Sequence, residues 1–247
     1  MGSKGNKRHQ KRLATPGHLQ IRRKDRTAGK FFFKIKGGPH PKDFCLPLGH
    51  VLRDLLNITD NSKETKFIMN KKGVVIDGIP RKDLNFPIGL MDVIELPEIN
   101  KAYRILASKN HGLMVSEITK DESKFKLCRI NNITTVKGGI QQLNLHDGRN
   151  ILIKKGEKKY KTRGTLKISI PSQEIMEYFE FKENVQGMIY RGTHTGVSGL
   201  ISKLTKRFGV NASLAQITTS SGEINTSYDY VFVIGSKDTV IDLPMEK

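Results

Sequence analysis

The chain has 247 residues, 43 of them lysine or arginine against 24 acids, a formal charge of +19, with tryptophan absent. That balance points to a polyanionic partner, and the length allows one large domain or two to three small ones. No apolar stretch approaches the roughly 20 residues of a membrane helix, and the opening MGSKGNKRHQ lacks the apolar run of a secretory signal, so neither is expected.

The charge is uneven. Residues 1–42 hold 13 basic side chains against one acid, Asp25; the other 205 residues carry 30 basic and 23 acidic side chains, a charge of only +7. Lys4, Lys7, Arg8, Lys11, Arg12, Arg22, Arg23, Lys24 and Arg26 lie in a stretch too polar and self-repelling to bury a core of its own. Such an arm is expected to order against phosphates, whose counterions its cations release. A targeting segment or membrane-surface patch fits less well, since Asp25 interrupts the charge and Asn6 stands where myristoylation wants Ser or Thr. Phe31-Phe32-Phe33 either stacks on bases or packs on the folded body and pins the arm, with the second reading favoured. From Gly222 to Lys247 the balance inverts to five acids and two lysines, so the tail is not expected on the polyanion-facing surface.

After the break Gly37-Gly38-Pro39-His40-Pro41, the spacing of Leu48, Val51, Leu52, Leu55 and Leu56 predicts a helix with His50, Arg53 and Asp54 on its other face. A second helix starts at Asn61, which has capping-box spacing to Glu64, and runs through Phe67, Ile68 and Met69 to a left-handed cap at Gly73. Its polar face carries Lys63, Lys66, Lys71 and Lys72. Beyond Gly73 the chain reads as strands: 74–76, 91–96, 103–108, 113–119, 125–130, 140–145, 151–153, 166–170, 175–181, 187–192, 197–204, 212–219 and 230–234. Short strands at this spacing predict small barrels rather than a parallel sheet with crossover helices.

Cys45 and Cys128 lie far apart in apolar runs, without zinc or redox spacing, and read as buried free thiols. His146-Asp147 invites a catalytic reading, yet His-Asp-Gly suits a β-turn with left-handed character and no nucleophile is placed beside it. Asp77 and Asp92 read as turn and strand-register residues. The remaining histidines show no metal-ligand spacing, so no metal, cofactor or small-molecule substrate is expected. Between two apolar strands, Gly187 to Gly199 carries glycines including Gly192, Gly196 and Gly199, which permit a tight loop with close backbone approach. A phosphate-cradling loop is the weaker reading, because no Lys-Ser or Lys-Thr pair follows the last glycine.

Several segments carry resemblances. The helix HVLRDLLN, the strand VVIDG and the strand GLMDVIEL resemble the compact RNA-binding domain named after bacterial small-subunit ribosomal protein four. The glycine loop resembles the KOW element of small barrels, though it lacks the lysines often found there. In order along the chain, GNKRHQKRLATPGH, GGPH, CLPL, IDG with Arg81, FPIGLMDVI, KLCRI, HDGRN, FVIG and IDLP resemble the archaeal and eukaryotic small-subunit ribosomal protein four family, and the short acidic ending is similar to archaeal members.

The resemblance implies an α+β, mostly β protein: a basic arm (1–42), a helix-pair RNA-binding domain on a short sheet (43–97), a central β domain (98–171) and a KOW-type, SH3-like barrel with an acidic tail (172–247). It implies a non-enzymatic constituent of the cytoplasmic small ribosomal subunit, holding rRNA and meeting neighbouring ribosomal proteins. Lys7, Arg8, Lys11 and Arg12 match the basic start of the family. Arg53 matches a basic helix position, and Arg81 and Lys82 a loop between strands, each with a merely solvated side chain as the alternative. Two other functions stay open: a KOW-bearing translation or transcription factor, and the RNA-reading domain of a modification enzyme.

Overall fold

The chain enters the body through its aromatic run. The computed structural model describes residues 9–19, 21, 23–24, 29–71, 73–109, 112–153, 159–209, 212–219 and 222–243; Lys4, Lys7, Arg8, Arg22, Arg26 and Lys72 lie outside these. A two-residue strand β1 (Gln10–Lys11) pairs antiparallel with β2 (Phe31–Phe32). Phe32, Phe33 and Ile35 are buried in the main core together with Leu19, while Phe31 is 55% exposed. Phe32 and Phe33 thus pack on the folded body, the favoured of the two readings, and the described part of the arm shares the body's core. Leu19 supplies the anchoring apolar surface that the charge count hid.

Next come β3 (Cys45–Pro47), α1 (Leu48–His50) and a π turn over Val51–Leu55. The Leu56 N–H donates to Val51 O at 2.9 Å, five residues back, the i→i+5 closure of a π turn. Leu48, Val51 and Leu52 face the core as predicted, but His50 is fully buried instead of solvent-facing. The reason is that this helix is covered on two sides: Phe33 packs so closely over Gly49 that a Cβ there would lie 2.7 Å from the ring. The His50 ring meets the edge of Phe32. Helix α2 (Ser62–Lys71) starts where the sequence predicted, with Asn61 Oδ1 accepting from the N–H groups of Lys63 and Glu64, both at 3.0 Å. Gly73 closes it at φ +67°.

The chain continues as β4 (Val74–Ile76), β5 (Ile79–Arg81), β6 (Pro87–Gly89), β7 (Val93–Leu96), β8 (Lys101–Ser108) and β9 (Gly112–Ile118). Strand β6 pairs with β3, and the others form an antiparallel sheet in the order β5-β4-β7-β8-β9. The boundary expected between residues 97 and 98 falls inside this sheet, because β7 and β8 are joined as a hairpin with Leu96 opposite Lys101.

A short helix α3 (Lys120–Ser123) precedes β10 (Phe125–Val136), β11 (Ile140–Leu145), β12 (Asn150–Ile153), β13 (Thr165–Ser169) and β14 (Ile175–Phe179), a second antiparallel sheet in the order β12-β11-β10-β13-β14. Cys128, Ile130, Leu143, Leu145, Leu166 and Ile168 alternate inward along these strands to make its core. The last unit comprises β15 (Gln186–Ile189), β16 (Ser198–Thr205), β17 (Leu214–Thr219), β18 (Gly222–Ser227) and β19 (Val231–Gly235), ordered β18-β17-β16-β15-β19 around Ile189, Ile201, Ile217, Val231 and Val233. Strand β18 lies outside the predicted strands: as an edge strand with sequence GEINTS, it buries only Thr226.

Candidate nucleic-acid interface

The expected contact residues divide into exposed cations and cations already engaged inside the protein. On the arm, Lys11, Arg23 and Lys24 are exposed. Arg12 is partly occupied, its Nε donating to Gly29 O at 3.1 Å and its guanidinium 5.7 Å from the Phe32 ring centroid. On α2, Lys63, Lys66 and Lys71 all face solvent, with the Lys71 ammonium 4.7 Å above the ring of the exposed Phe67. Among the described residues, neither Lys63 nor Lys66 has a carboxylate partner. This surface presents positive charge and one aromatic face.

Arg53 is engaged inside the protein. Its side chain is 14% exposed; Nε and Nη2 donate to the Asp54 carboxylate, both at 2.8 Å, and the guanidinium stacks 4.6 Å from the Phe33 centroid. A bidentate pair over an aromatic ring is a structural clamp. Burial alone would raise the Asp54 pKa, but hydrogen bonds from His50 and Arg53 outweigh it and hold the carboxyl at about 2. Arg81 is likewise committed: it ends β5, is only partly exposed, and lies 4.5 Å over Phe86. Its neighbour Lys82 is exposed in the following loop.

The glycine loop is built for packing. Gly196 has φ +92°, and a Cβ there would meet the Lys109 backbone nitrogen at 2.6 Å, so the loop lies flush against the end of β8. Gly192 has φ +91° beside the Tyr230 ring, and Gly199 lies so close to β17 that a Cβ would stand 2.3 Å from Thr218 O. Of this loop's side chains, Arg191 is exposed and stacks 5.0 Å from the Phe44 centroid.

Behind these surfaces lies a buried ionic junction between the first two sheets. Lys126 on β10 is fully buried. Its Nζ donates to Asp77 Oδ2 at 2.8 Å and to Asp92 Oδ1 at 2.5 Å, and lies 3.0 Å from Asp147 Oδ2. Arg149 adds a second cation, with Nη2 2.7 Å from Asp77 Oδ2 and Nε 3.1 Å from Asp147 Oδ2. The His40 ring, from the Gly-Pro break, reaches Asp92 Oδ1 at 2.9 Å. It fits only because Gly89 has no Cβ, which would sit 2.3 Å from the ring. The remaining carboxylate lone pairs accept backbone N–H groups, Gly89 on Asp92 at 2.8 Å and Val93 on Asp77 at 3.0 Å.

Each group's acidity follows from this crowding. Burial raises Asp92 and Asp147, yet their charged and hydrogen-bonding neighbours outweigh it and hold both well below the usual carboxylate range: chiefly His40 and Lys126 for Asp92, and Lys126, His146 and Arg149 for Asp147. In Asp77 burial wins over Lys126 and Arg149, and its carboxyl is pushed up. Burial disfavours the Lys126 ammonium, but three carboxylates reverse that and push it above the ordinary lysine value.

Cys128, His146 and Asp147 offer ligand atoms within 4.8 Å of one another. These atoms are spoken for. His146 Nδ1 accepts the Arg129 N–H at 3.2 Å, leaving Nε2 to donate to Leu90 O at 3.0 Å. The Cys128 thiol donates to Asp147 Oδ2 at 3.5 Å, beside the Lys126 ammonium. A cation added there would face a buried positive charge and a ring with no lone pair to give. His146-Asp147-Gly148 is the hairpin turn between β11 and β12, closed by the Gly148 N–H on Leu145 O at 3.2 Å.

Residues 99–175, spanning β8 to the start of β14, match the family model described as Ribosomal family S4e. The whole chain is similar to the small ribosomal subunit protein eS4 of Methanothermobacter thermautotrophicus, 39% identical over 245 residues that cover 99% of each chain. The chain belongs to the eS4 family. Another member, from Desulfurococcus amylolyticus, is 39% identical over 251 residues, covering 99% of this chain and 98% of its own. The crystal structure of the 30S ribosomal protein S4e from Thermoplasma acidophilum shares the fold, with TM-score 0.70 and 29% identity over 81% of this chain and 100% of that one.

Within this eS4-family fold, sequence reasoning missed the ionic junction because its members are scattered over residues 40–149. One signal was present. Lys126 sits between Phe125 and Leu127 in the run FKLCRI, and a lysine two positions from Cys128 and four from Ile130 must share their inward face on a strand.

Proposed function

We propose that the protein is a structural constituent of the small ribosomal subunit that binds rRNA and stabilises its folded body. The observation that carries this is the similarity to eS4 proteins along 99% of the chain. The charge distribution supports it: 13 cations in the first 42 residues and an α2 face bearing Lys63, Lys66 and Lys71, against a β-rich body whose largest ionic cluster is sealed inside. In this reading the arm, including Lys4, Lys7, Arg8, Lys11, Arg22, Arg23, Lys24 and Arg26, follows the phosphate backbone. The α2 lysines with Lys72 and Lys82 sit over a groove by shape and charge, and the barrel meets neighbouring proteins in the cytoplasmic ribosome. Neither a transient factor nor a modification-enzyme reader gains support from relatives that match over their full length.

Filter binding of the full chain to transcribed small-subunit rRNA across a salt series tests the reading. With roughly 0.7 to 0.9 of log–log slope per phosphate contact, six or more contacts give a slope of about −5 or steeper. A slope shallower than about −2 refutes it.

A further inference from the structure

The glycine loop that suggested the barrel's contact point is used up on β8, yet the barrel has a second, differently built tip. Loop 192–196 precedes β16, and the β16–β17 turn follows it. Eight residues of extended strand separate the two, roughly 25 Å of chain, so they occupy opposite ends of that strand. At the far end stand Lys206, Arg207 and Phe208. All three are exposed, and Phe208 is the most exposed large apolar side chain among the described residues. Lys203, exposed towards the end of β16, adds a third cation to the same end of the strand; among the described residues none of these cations has a carboxylate partner.

A single exposed phenylalanine is ordinary on a protein surface. Three features set this one apart. Its ring lies against none of the body. Its base is clamped: the Ser213 hydroxyl accepts the Arg207 N–H and donates to Arg207 O, both at 3.2 Å. Just before the turn, Glu183 Oε1 accepts the Leu204 N–H at 2.9 Å. A bare ring that directly follows two exposed cations, on a base hydrogen-bonded to Ser213, has the chemistry of a stacking platform on single-stranded nucleic acid: phosphates for the cations, a base face for the ring. A double helix offers no such base, because A-form pairs stay stacked and their major groove is closed to side chains. Unpaired loops and bulges do offer one.

We propose that Lys206-Arg207-Phe208 is a second RNA-contact element, in which Phe208 stacks on an unpaired base of small-subunit rRNA while Lys206 and Arg207 meet the flanking phosphates. The inference rests on the rRNA-binding reading above and adds to it where the barrel touches RNA and by what chemistry.

The absence of tryptophan makes Phe208→Trp a unique fluorescent probe. In the full chain titrated with transcribed small-subunit rRNA, indole emission should be quenched with the same midpoint that filter binding gives. Phe208→Ala should weaken binding about 5- to 150-fold with an unchanged melting temperature, while Phe208→Tyr retains affinity. Lys206→Ala with Arg207→Ala should make the salt slope shallower by roughly 1.5. Tight wild-type binding with unaltered affinity of Phe208→Ala and no indole quenching overturns this proposal and leaves the rRNA reading standing. Loss of wild-type binding itself overturns both. Indole emission that responds to RNA-free small-subunit proteins and not to rRNA overturns it in favour of a protein contact.

Discussion

Replacing Lys126 by methionine keeps an unbranched side chain one heavy atom shorter and removes its charge from the centre of three carboxylates. The substitution breaks the ion pairs to Asp77, Asp92 and Asp147, at 2.8, 2.5 and 3.0 Å. Removing one partner of a buried ion pair costs about 3–5 kcal/mol, because the other charge stays buried and uncompensated. Here three carboxylates stay behind. Arg149 still reaches two of them and His40 the third, so the upper end, about 5 kcal/mol, is expected against a total of roughly 5–15 kcal/mol for a folded domain. Asp92 and Asp147 have depressed pKa values in the folded state. Their contribution is therefore complete above the ordinary carboxylate range and is lost as pH falls below it. Urea unfolding followed by circular dichroism should show the full gap between wild type and Lys126→Met at pH 7, narrowing towards pH 3. Removing one carboxylate along with the lysine, as Asp92→Asn in the Lys126→Met background, restores the cluster's net charge while Arg149 keeps Asp77 and Asp147, and should recover part of the loss. A gap below about 1 kcal/mol at pH 7, or one independent of pH, refutes the assignment of this cluster as the ionic tie between the two sheets.

Burial lowers the His146 pKa from 6.5 to about 4, outweighing Asp147; its contribution is complete above pH 6.5 and lost as pH falls towards 4. His146→Gln should flatten the stability–pH curve in that window, removing at most about 3 kcal/mol of pH dependence, as read from urea midpoints. Gly196→Val forces a β-branched residue to positive φ against the Lys109 backbone, and should lower the melting temperature by about 5 °C or more. Lys63→Ala with Lys66→Ala should weaken rRNA binding in a filter assay and leave the melting temperature nearly unchanged. Arg53→Ala should cost about 1–2 kcal/mol of stability in denaturant unfolding, since its bidentate pair with Asp54 is internal; weaker rRNA binding at unchanged stability would return Arg53 to the contact surface.

Local pattern carried the strands well, because apolar alternation and Gly turns such as Asp77-Gly78 and Asp147-Gly148 are properties of a few adjacent residues. It also located α2, whose Asn61 cap is a local signal. What failed was non-local. His50 was assigned to a wet face because nothing in HVLRDLLN says that Phe32 and Phe33, nearly twenty residues upstream, fold back over it. The internal pairing of Arg53 with Asp54 was hidden for the same reason. The junction around Lys126 needed side chains from four separate segments brought together, and an edge strand as polar as β18 has the composition of a loop. The contact surface was legible as charge; which cations are free to act on a partner was not, since that depends on carboxylates and rings that only the fold brings near.

The two thiols give the fold a built-in clock. Cys45 lies in the main core beneath the helix pair and Cys128 in the core of the second sheet, and burial pushes Cys45 up to about 12 and Cys128 far above its ordinary value. Neither can be alkylated while its surroundings stay closed, since the thiolate is the reactive form. The rate at which each is modified therefore times the opening of its own unit. Two peptides resolved by mass spectrometry would report, without any label or substitution, whether the helix-pair unit and the second sheet breathe together or one at a time.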